Sequence, residues 1–390
     1  MQMKAAHKSP GIKVEDLKRF RPLKEFRALL NEVAAQRGLS ATWSDPKRKL
    51  LLADYLGLFL FSLFNPVITS MRAACAASAL PRVGARICSR PVSLGSFSEA
   101  QHLVDEALLE GVFEDLFKKL PAAQLPKQVA HLRAPRPSVI DSSVWQVCER
   151  LQWAQWRTHT SAVHTCGDAA VRAHVIFDLE SHAPAKAQLT SAKTCERRIW
   201  KELAEPGRLY VGDRYYGYSY TLLGDMCENG VFFVVRARIN AEWVVERERP
   251  VDDQARAKGV VWSAWVRLGK KGKGPRVRVV QVAGEEEAIL LLTNLEEDVL
   301  DAAQVRVLYQ NRWQIEYFFR WLKCILGNRH WFCGSRKGMQ VQLYLALIAA
   351  VLLMLFTGKR PNKRAMEAIQ HYLSGWASEE DLIRLLVKYA

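Results

Sequence analysis

No Cys-x-x-Cys pair occurs among the eight cysteines of this 390-residue sequence. Cys75, Cys88, Cys148, Cys166, Cys195, Cys227, Cys324 and Cys333 are too scattered for a zinc site or a small disulfide framework. They read as free thiols in a reducing compartment. The first twenty residues hold no apolar stretch, so no signal peptide is expected. No His-Glu-x-x-His spacing joins His159, His164, His174 and His182, which read as surface or core histidines. Residues 269–274 lack the ending and the strand–helix setting of a phosphate-binding loop, so dependence on ATP is not expected. Two apolar runs, 50–64 and 341–356, fall short of the roughly 20 residues of a membrane span. Both read as buried core helices, and no membrane partner is expected.

Acidic residues are outnumbered. Lys and Arg total 56 against 40 Asp and Glu, a net charge of +16. A field of that sign attracts polyanions. Nucleic acid is the expected partner, with an anionic membrane surface as the competing reading. Hydrophobic residues make up 49%, enough for a sizeable core, and the length suggests two or three domains.

Along the chain, residues 1–125 read as a mainly helical N-terminal domain. Helices are predicted over 14–38, with Pro22 as a break and Gly38 as a C-cap, from Asp45-Pro46 to Asn65-Pro66, and over 96–119 with Ser96 and Glu99 as a capping box. Arg19, Arg21, Lys24 and Arg27 are candidates for phosphate contacts, or else one face of a solvated helix. Residues 126–357 read as an α/β catalytic domain. Short strand-like runs lead into Asp141 and Asp213, with another at 174–179 and a helical stretch at 191–203. A β-rich segment, 231–295, looks like a separate antiparallel unit inserted into that domain. Strong helix returns over 301–326 and 340–356. A basic linker and a helical tail, 358–390, finish the chain, with Ser378 and Asp381 marking a helix start.

The segment from Tyr309 to Lys323 is the most informative. On a helix at about 100° per residue, Tyr309, Arg312 and Lys323 fall within about 60° of the face that carries Glu316. A carboxylate flanked by two cations and a phenol suits a place where a metal ion meets a phosphate backbone. The competing reading is a solvated face with an i,i+4 pair between Arg312 and Glu316. Asp141 follows Val-Ile, and Asp213 follows Val-Gly. An acid at the carboxyl end of a buried strand points into the crevice where α/β folds bind ligands. A turn or N-cap role is the alternative for each. Three carboxylates from separate elements can hold two divalent ions for phosphoryl transfer.

Tyr-x2-Arg-x3-Glu-x6-Lys, here Tyr309, Arg312, Glu316 and Lys323, resembles the signature of the insertion-sequence-four family of DDE transposases. The blocks Val-Ile-Asp141-Ser and Val-Gly-Asp213-Arg are similar to its two aspartate motifs, in the same order. The resemblance runs over roughly residues 130–357. It implies a ribonuclease-H-like core, with Asp141, Asp213 and Glu316 as the catalytic, metal-binding triad. It implies Mg2+ or Mn2+ as cofactor, and phosphate contacts from Arg312 and Lys323 supported by Tyr309. It further implies a homodimer on paired transposon ends. Where many relatives have Asp-Arg-Gly-Tyr, this sequence has Asp-Arg-Tyr-Tyr, which places extra bulk beside the second aspartate.

Trp262 and Trp265, near the basic tip at 270–273, are candidates for stacking on unpaired bases of DNA, or form an ordinary sheet-packing face. The expected function is metal-dependent cleavage at transposon ends and strand transfer into target DNA, in the cytoplasm at the nucleoid. A ribonuclease-H-fold nuclease without strand transfer and a catalytically silent DNA-binding protein are the alternatives.

Overall fold

Runs of β-branched residues between Pro137 and Thr293 pair into one mixed sheet, the centre of one of two compact units in this computed structural model. That unit spans residues 121–319; the other is built from 1–120 with 320–390. The structure describes residues 22–38, 43, 45–121, 134–160, 165–284, 287–326 and 331–389.

The first unit begins with helices α1 (Pro22–Arg37), α2 (Leu52–Phe64), α3 (Met71–Ser78), α4 (Pro81–Arg86), α5 (Leu94–Leu103) and α6 (Glu106–Lys118). Pro22 opens α1, and Gly38 follows it at φ +78°, in the left-handed conformation that closes a helix. Residues 14–21 of the expected first helix, with Arg19 and Arg21, lie outside the described residues. The helix expected from Asp45 starts later, at Leu52. The Asp45 side chain caps only a local turn, accepting from the Lys47 N–H at 2.8 Å, and Leu51 is extended. The helix expected over 96–119 is two helices. Val104 is extended, and the caps are Ser93 and Asp105. Arg27 is no free phosphate contact: it pairs with Asp54 at 3.2 Å and donates to the Ile87 carbonyl.

The sheet unit contains β1 (Pro137–Val147), β2 (Gln155–Thr160), β3 (Thr165–Asp178), β4 (Ala183–Ser191), α7 (Glu196–Leu203), β5 (Leu209–Gly212), α8 (Arg214–Gly217), α9 (Tyr220–Glu228) and β6 (Phe232–Arg236). It continues with β7 (Trp243–Arg249), α10 (Asp253–Ala257), β8 (Val260–Leu268), β9 (Arg276–Val282), β10 (Ile289–Thr293) and α11 (Ala302–Gln310). The strand order is β2-β3-β1-β5-β6-β10-β9-β8-β7, with β4 also on β3. β5 pairs in parallel with β1 and β6; the other pairs are antiparallel. All four residues of β5 are buried, as an apolar central parallel strand requires. Tyr210, Trp200, Leu223 and Phe233 join Ile140 and Ile176 in a core under α7 and α9.

Three expectations change here. β1 does not end at Asp141 but runs through it to Val147. The expected helix over 191–203 begins only at Glu196, because Ser191 still belongs to β4. The segment 231–295 is not a separate unit. β6 lies in the parallel centre, and β10, β9, β8 and β7 extend the same sheet from its edge.

Past a 3-10 turn, Asn311–Trp313, helix α12 (Gln314–Leu326) carries the chain out of the sheet unit. Helices α13 (Arg336–Thr357), α14 (Lys363–Leu373) and α15 (Glu379–Tyr389) complete the helical unit. α13 is longer than the apolar run suggested, and by length and composition it could cross a membrane. Burial decides its role: residues 338–354 are all packed inside the unit, as a core helix is. Phe59, on α2, packs on Phe332 just ahead of α13, ring centroids 5.0 Å apart. α15 starts where expected, Ser378 and Asp381 exchanging hydrogen bonds.

Candidate active site

β1 and β5 are adjacent and parallel, with Val139 opposite Val211. Two residues further on stand Asp141, still within β1, and Asp213, just past the end of β5. Neighbouring strands lie roughly 5 Å apart, so the register brings the two aspartates to the same sheet end. It is the carboxyl end of the parallel strands, where α/β sheets place ligands. Asp213 is the N-cap of α8, its side chain accepting from the Tyr215 N–H at 2.8 Å. The turn needs Gly217, where any Cβ would collide with the Arg236 carbonyl.

Glu316 reaches the same place from α12. Arg312 donates through Nη1 to Glu316 Oε1 at 2.8 Å and lies 3.9 Å from Asp141 Oδ2. The i,i+4 ion pair therefore exists, with the Arg312 side chain only 11% exposed while Glu316 remains 34% exposed. The 3-10 turn between α11 and α12 interrupts the continuous helix expected there. Tyr309 is half-buried on α11, its ring centroid 6.0 Å from the Arg312 guanidinium. Burial raises its hydroxyl pKa, against the lowering effect of Arg312. Lys323 is exposed on α12, seven residues beyond Glu316.

Asp141 reports how these groups act on one another. Burial pushes its pKa up to about 6, and the charges of Asp213 and Glu316 push the same way. The Ser142 N–H and Arg312 oppose the rise. The charges that act on Asp141 are two carboxylates and one guanidinium, so with its own carboxylate negative charge is in excess there. Hard oxygen donors with such an excess fit a divalent cation of the Mg2+ or Mn2+ kind. As they stand, they are not gathered into a cage: among the described residues no three His, Cys, Asp or Glu side chains form a group that could hold a metal ion. Glu316 is instead engaged by Arg312.

The two tryptophans part company. Strand alternation puts Trp262 and Trp265 on opposite faces of β8. Trp265 is 2% exposed, and the Arg276 guanidinium covers its ring at 3.9 Å. It packs inside the sheet, so the expectation that it stacks on DNA bases is corrected. Trp262 is half-buried and stacked on Trp243, 6.4 Å between centroids. His174 is a core histidine, bonded to Thr190 at 2.9 Å; His159 and His164 lie outside the residues whose side chains are described.

Residues 133–352 match the family model of the transposase DDE domain. The chain belongs to this family. The matched segment includes Asp141, Asp213, Arg312, Glu316 and Lys323. Among relatives of this DDE-domain chain is a putative transposase, y4zB, of Sinorhizobium fredii, 30% identical over 249 residues, 62% of this chain and 66% of the relative. Another is a probable transposase for insertion sequence element IS5377 of Geobacillus stearothermophilus, 28% identical over 250 residues, 61% of this chain and 63% of the relative. The match thus spans slightly under two thirds of each relative. A solved piggyBac transposase synaptic complex with hairpin DNA aligns at a TM-score of 0.45 and 11% identity, covering 98% of this chain and 87% of that one.

Sequence reading missed the surroundings of the acids. Tyr216 is buried beside them, and its pKa is raised by burial and by the charges of Asp141 and Asp213. Arg172 and Glu196 approach Ser142, although 30 and 54 residues separate them from it in the chain. Nothing local to either residue signals that meeting.

Proposed function

We propose that this chain is a DNA transposase that cuts DNA at transposon ends and joins the freed ends to target DNA, with Asp141, Asp213 and Glu316 as its catalytic acids. The observation that carries the reading is that Asp141 on β1, Asp213 just past β5 and Glu316 on α12 lie near enough for the charges of Asp213 and Glu316 to add to the rise that burial imposes on Asp141. The strand order β4-β3-β1-β5-β6, antiparallel then parallel, supports a ribonuclease-H-like core. The Tyr309, Arg312, Glu316 and Lys323 spacing supports the insertion-sequence-four branch of the family.

In this reading the three acids would hold two ions of Mg2+ or Mn2+. Metal held by these residues would supply Lewis-acid activation of the attacking oxygen and stabilisation of the leaving oxygen of a phosphodiester. Arg312 keeps Glu316 neutralised before DNA arrives and offers its guanidinium donors to a phosphate oxygen afterwards. Tyr309 packs beside that guanidinium and limits its swing. Lys323 meets the DNA backbone, and Trp262 is placed for an unpaired base. The protein works as a homodimer on paired ends, in the cytoplasm at the nucleoid.

The test is cleavage of terminal-repeat DNA in Mg2+, Mn2+ or EDTA by wild type and by Glu316→Ala. Metal-dependent cutting, lost in the variant with DNA binding kept, is expected. Full cutting by Glu316→Ala would sink the assignment. Binding without cutting in any metal points to a silent DNA-binding protein, and cutting without joining to a nuclease. Lys323→Ala should lower the salt slope of DNA binding by about 1.

A further inference from the structure

Among the described residues, β1 has a partner on both sides only at its start. β5 pairs with residues Pro137, Ser138 and Val139 and then ends, whereas β3 follows β1 to Val147. Asp141 therefore sits where the strand has lost one neighbour. Such a strand is freer to shift, and a carboxylate on it is poorly held unless something replaces the missing partner.

A cluster on the other face of the sheet supplies the replacement. Ser142 faces His174, and Val144 faces Arg172, so Ser142 and Arg172 project to one face while Asp141 and Val175 project to the other. The Ser142 hydroxyl donates to Glu196 Oε2 at 2.7 Å, from the first turn of α7. Arg172 Nη1 pairs with Glu196 Oε1 and donates to the Ser142 hydroxyl oxygen at 3.3 Å. Arg172 and Glu196 are only 16% and 17% exposed, which makes this pair stiffer than a surface ion pair. On the Asp141 side, the Ser142 backbone N–H donates to Asp141 Oδ1 at 2.7 Å. One residue thus links the two faces, its hydroxyl held behind the sheet and its amide holding the carboxylate in front.

We propose that Ser142, Glu196 and Arg172 form a positioning clamp that fixes the Asp141 carboxylate through the sheet. The clamp rests on the reading of Asp141 as a catalytic acid. It ties Oδ1 to the backbone and leaves Oδ2 on the side of Arg312 and Glu316. None of the three residues belongs to the triad or to the basic signature.

The experiment compares wild type, Ser142→Ala, Ser142→Thr, Glu196→Gln and Asp141→Asn in full-length protein. Three quantities are measured: single-turnover cleavage of terminal-repeat DNA in Mn2+, the DNA dissociation constant, and hydrogen exchange of the amides around residue 142. Ser142→Ala and Glu196→Gln should cut about 10- to 100-fold more slowly, the usual cost of removing a supporting hydrogen bond behind a metal ligand. Their DNA affinity should stay at the wild-type level, and the Ser142 amide should exchange faster. Ser142→Thr keeps the hydroxyl and should restore both rate and protection. Wild-type cleavage in Ser142→Ala and Glu196→Gln, beside an inactive Asp141→Asn, overturns the clamp alone. Active Asp141→Asn overturns the reading beneath it. Slow cleavage with unchanged amide exchange also overturns the clamp. If thermal melting shows that Glu196→Gln does not fold, Ser142→Ala, which loses one hydroxyl, decides the matter by the same outcomes.

Discussion

Two aspartates stand three residue pairs apart on the β1–β3 ladder and meet opposite fates. Asp178, opposite Ser138, has no exposed side chain. It accepts from Arg136 at 2.6 and 2.9 Å, from Arg208 at 2.8 Å, and from the Ser181 N–H and hydroxyl at 2.7 and 2.9 Å. Burial alone would raise its pKa, but these partners hold it below the usual carboxylate range. Asp141 has one backbone donor and a distant guanidinium, and it faces two like charges. The satisfied carboxylate ties strands together. The less fully engaged one, buried beside two like charges, carries an electrostatic cost that a cation can relieve.

The sharpest way to break this contrast is Asp141→Asn. Cleavage should fall by a factor of about 1,000 or more, as when one member of a catalytic unit is removed. The same change should raise stability by up to about 3 kcal/mol at pH 7, since it removes a charge whose ionisation is disfavoured in the folded state. The sign follows from the raised pKa. The cost of Asp141 is fully present above about pH 6, and it fades as pH falls towards the unfolded value of about 4. Urea melts of both proteins at pH 7.5 and pH 4 check it. A variant less stable than wild type at neutral pH contradicts the comparison.

Asp178→Asn should do the reverse. Two arginines lose their charged partner, and stability should fall by about 3 kcal/mol at pH 7, with cleavage by the folded fraction unchanged. Because the folded pKa is lowered, the contribution is complete above about pH 4 and is lost as pH falls through the folded value. Wild type and variant should converge in acid denaturant melts. A persistent gap would assign the loss to packing rather than to charge.

Ser181→Ala is the smallest test. It removes one of two bonds from Ser181 while the N–H remains, so a loss of about 1 kcal/mol is expected with no change in cleavage. Calorimetry resolves it, and a loss as large as that of Asp178→Asn would mean that the hydroxyl, not the arginines, carries the site.

Much of this architecture is legible locally. Leu209–Gly212 reads as a buried strand because nothing in it is charged, and α13 reads as a core helix because its apolar residues surround it. Asp213 is legible as an acid at a strand end because the apolar run stops there. β1 is harder. Its half-buried serines hide six further strand residues after Asp141, and only pairing with β3 reveals them. The strands from Trp243 to Thr293 show their alternation in sequence, but not that they extend the central sheet. Joining through β6 and β10 is a matter of long-range pairing.

The sequence by itself determined the type of most local elements though not their bounds, the chain order of three acids and the cationic signature around Glu316. These depend on side-chain type and spacing within a few residues. Tertiary structure alone decided that Asp178 gathers two arginines while Asp141 faces like charges, that Trp265 lies under Arg276, and that Glu196 and Arg172 meet behind Asp141. The reason is physical: the energy of a charge or ring depends on burial and on partners brought in from distant parts of the chain, and no local pattern encodes those.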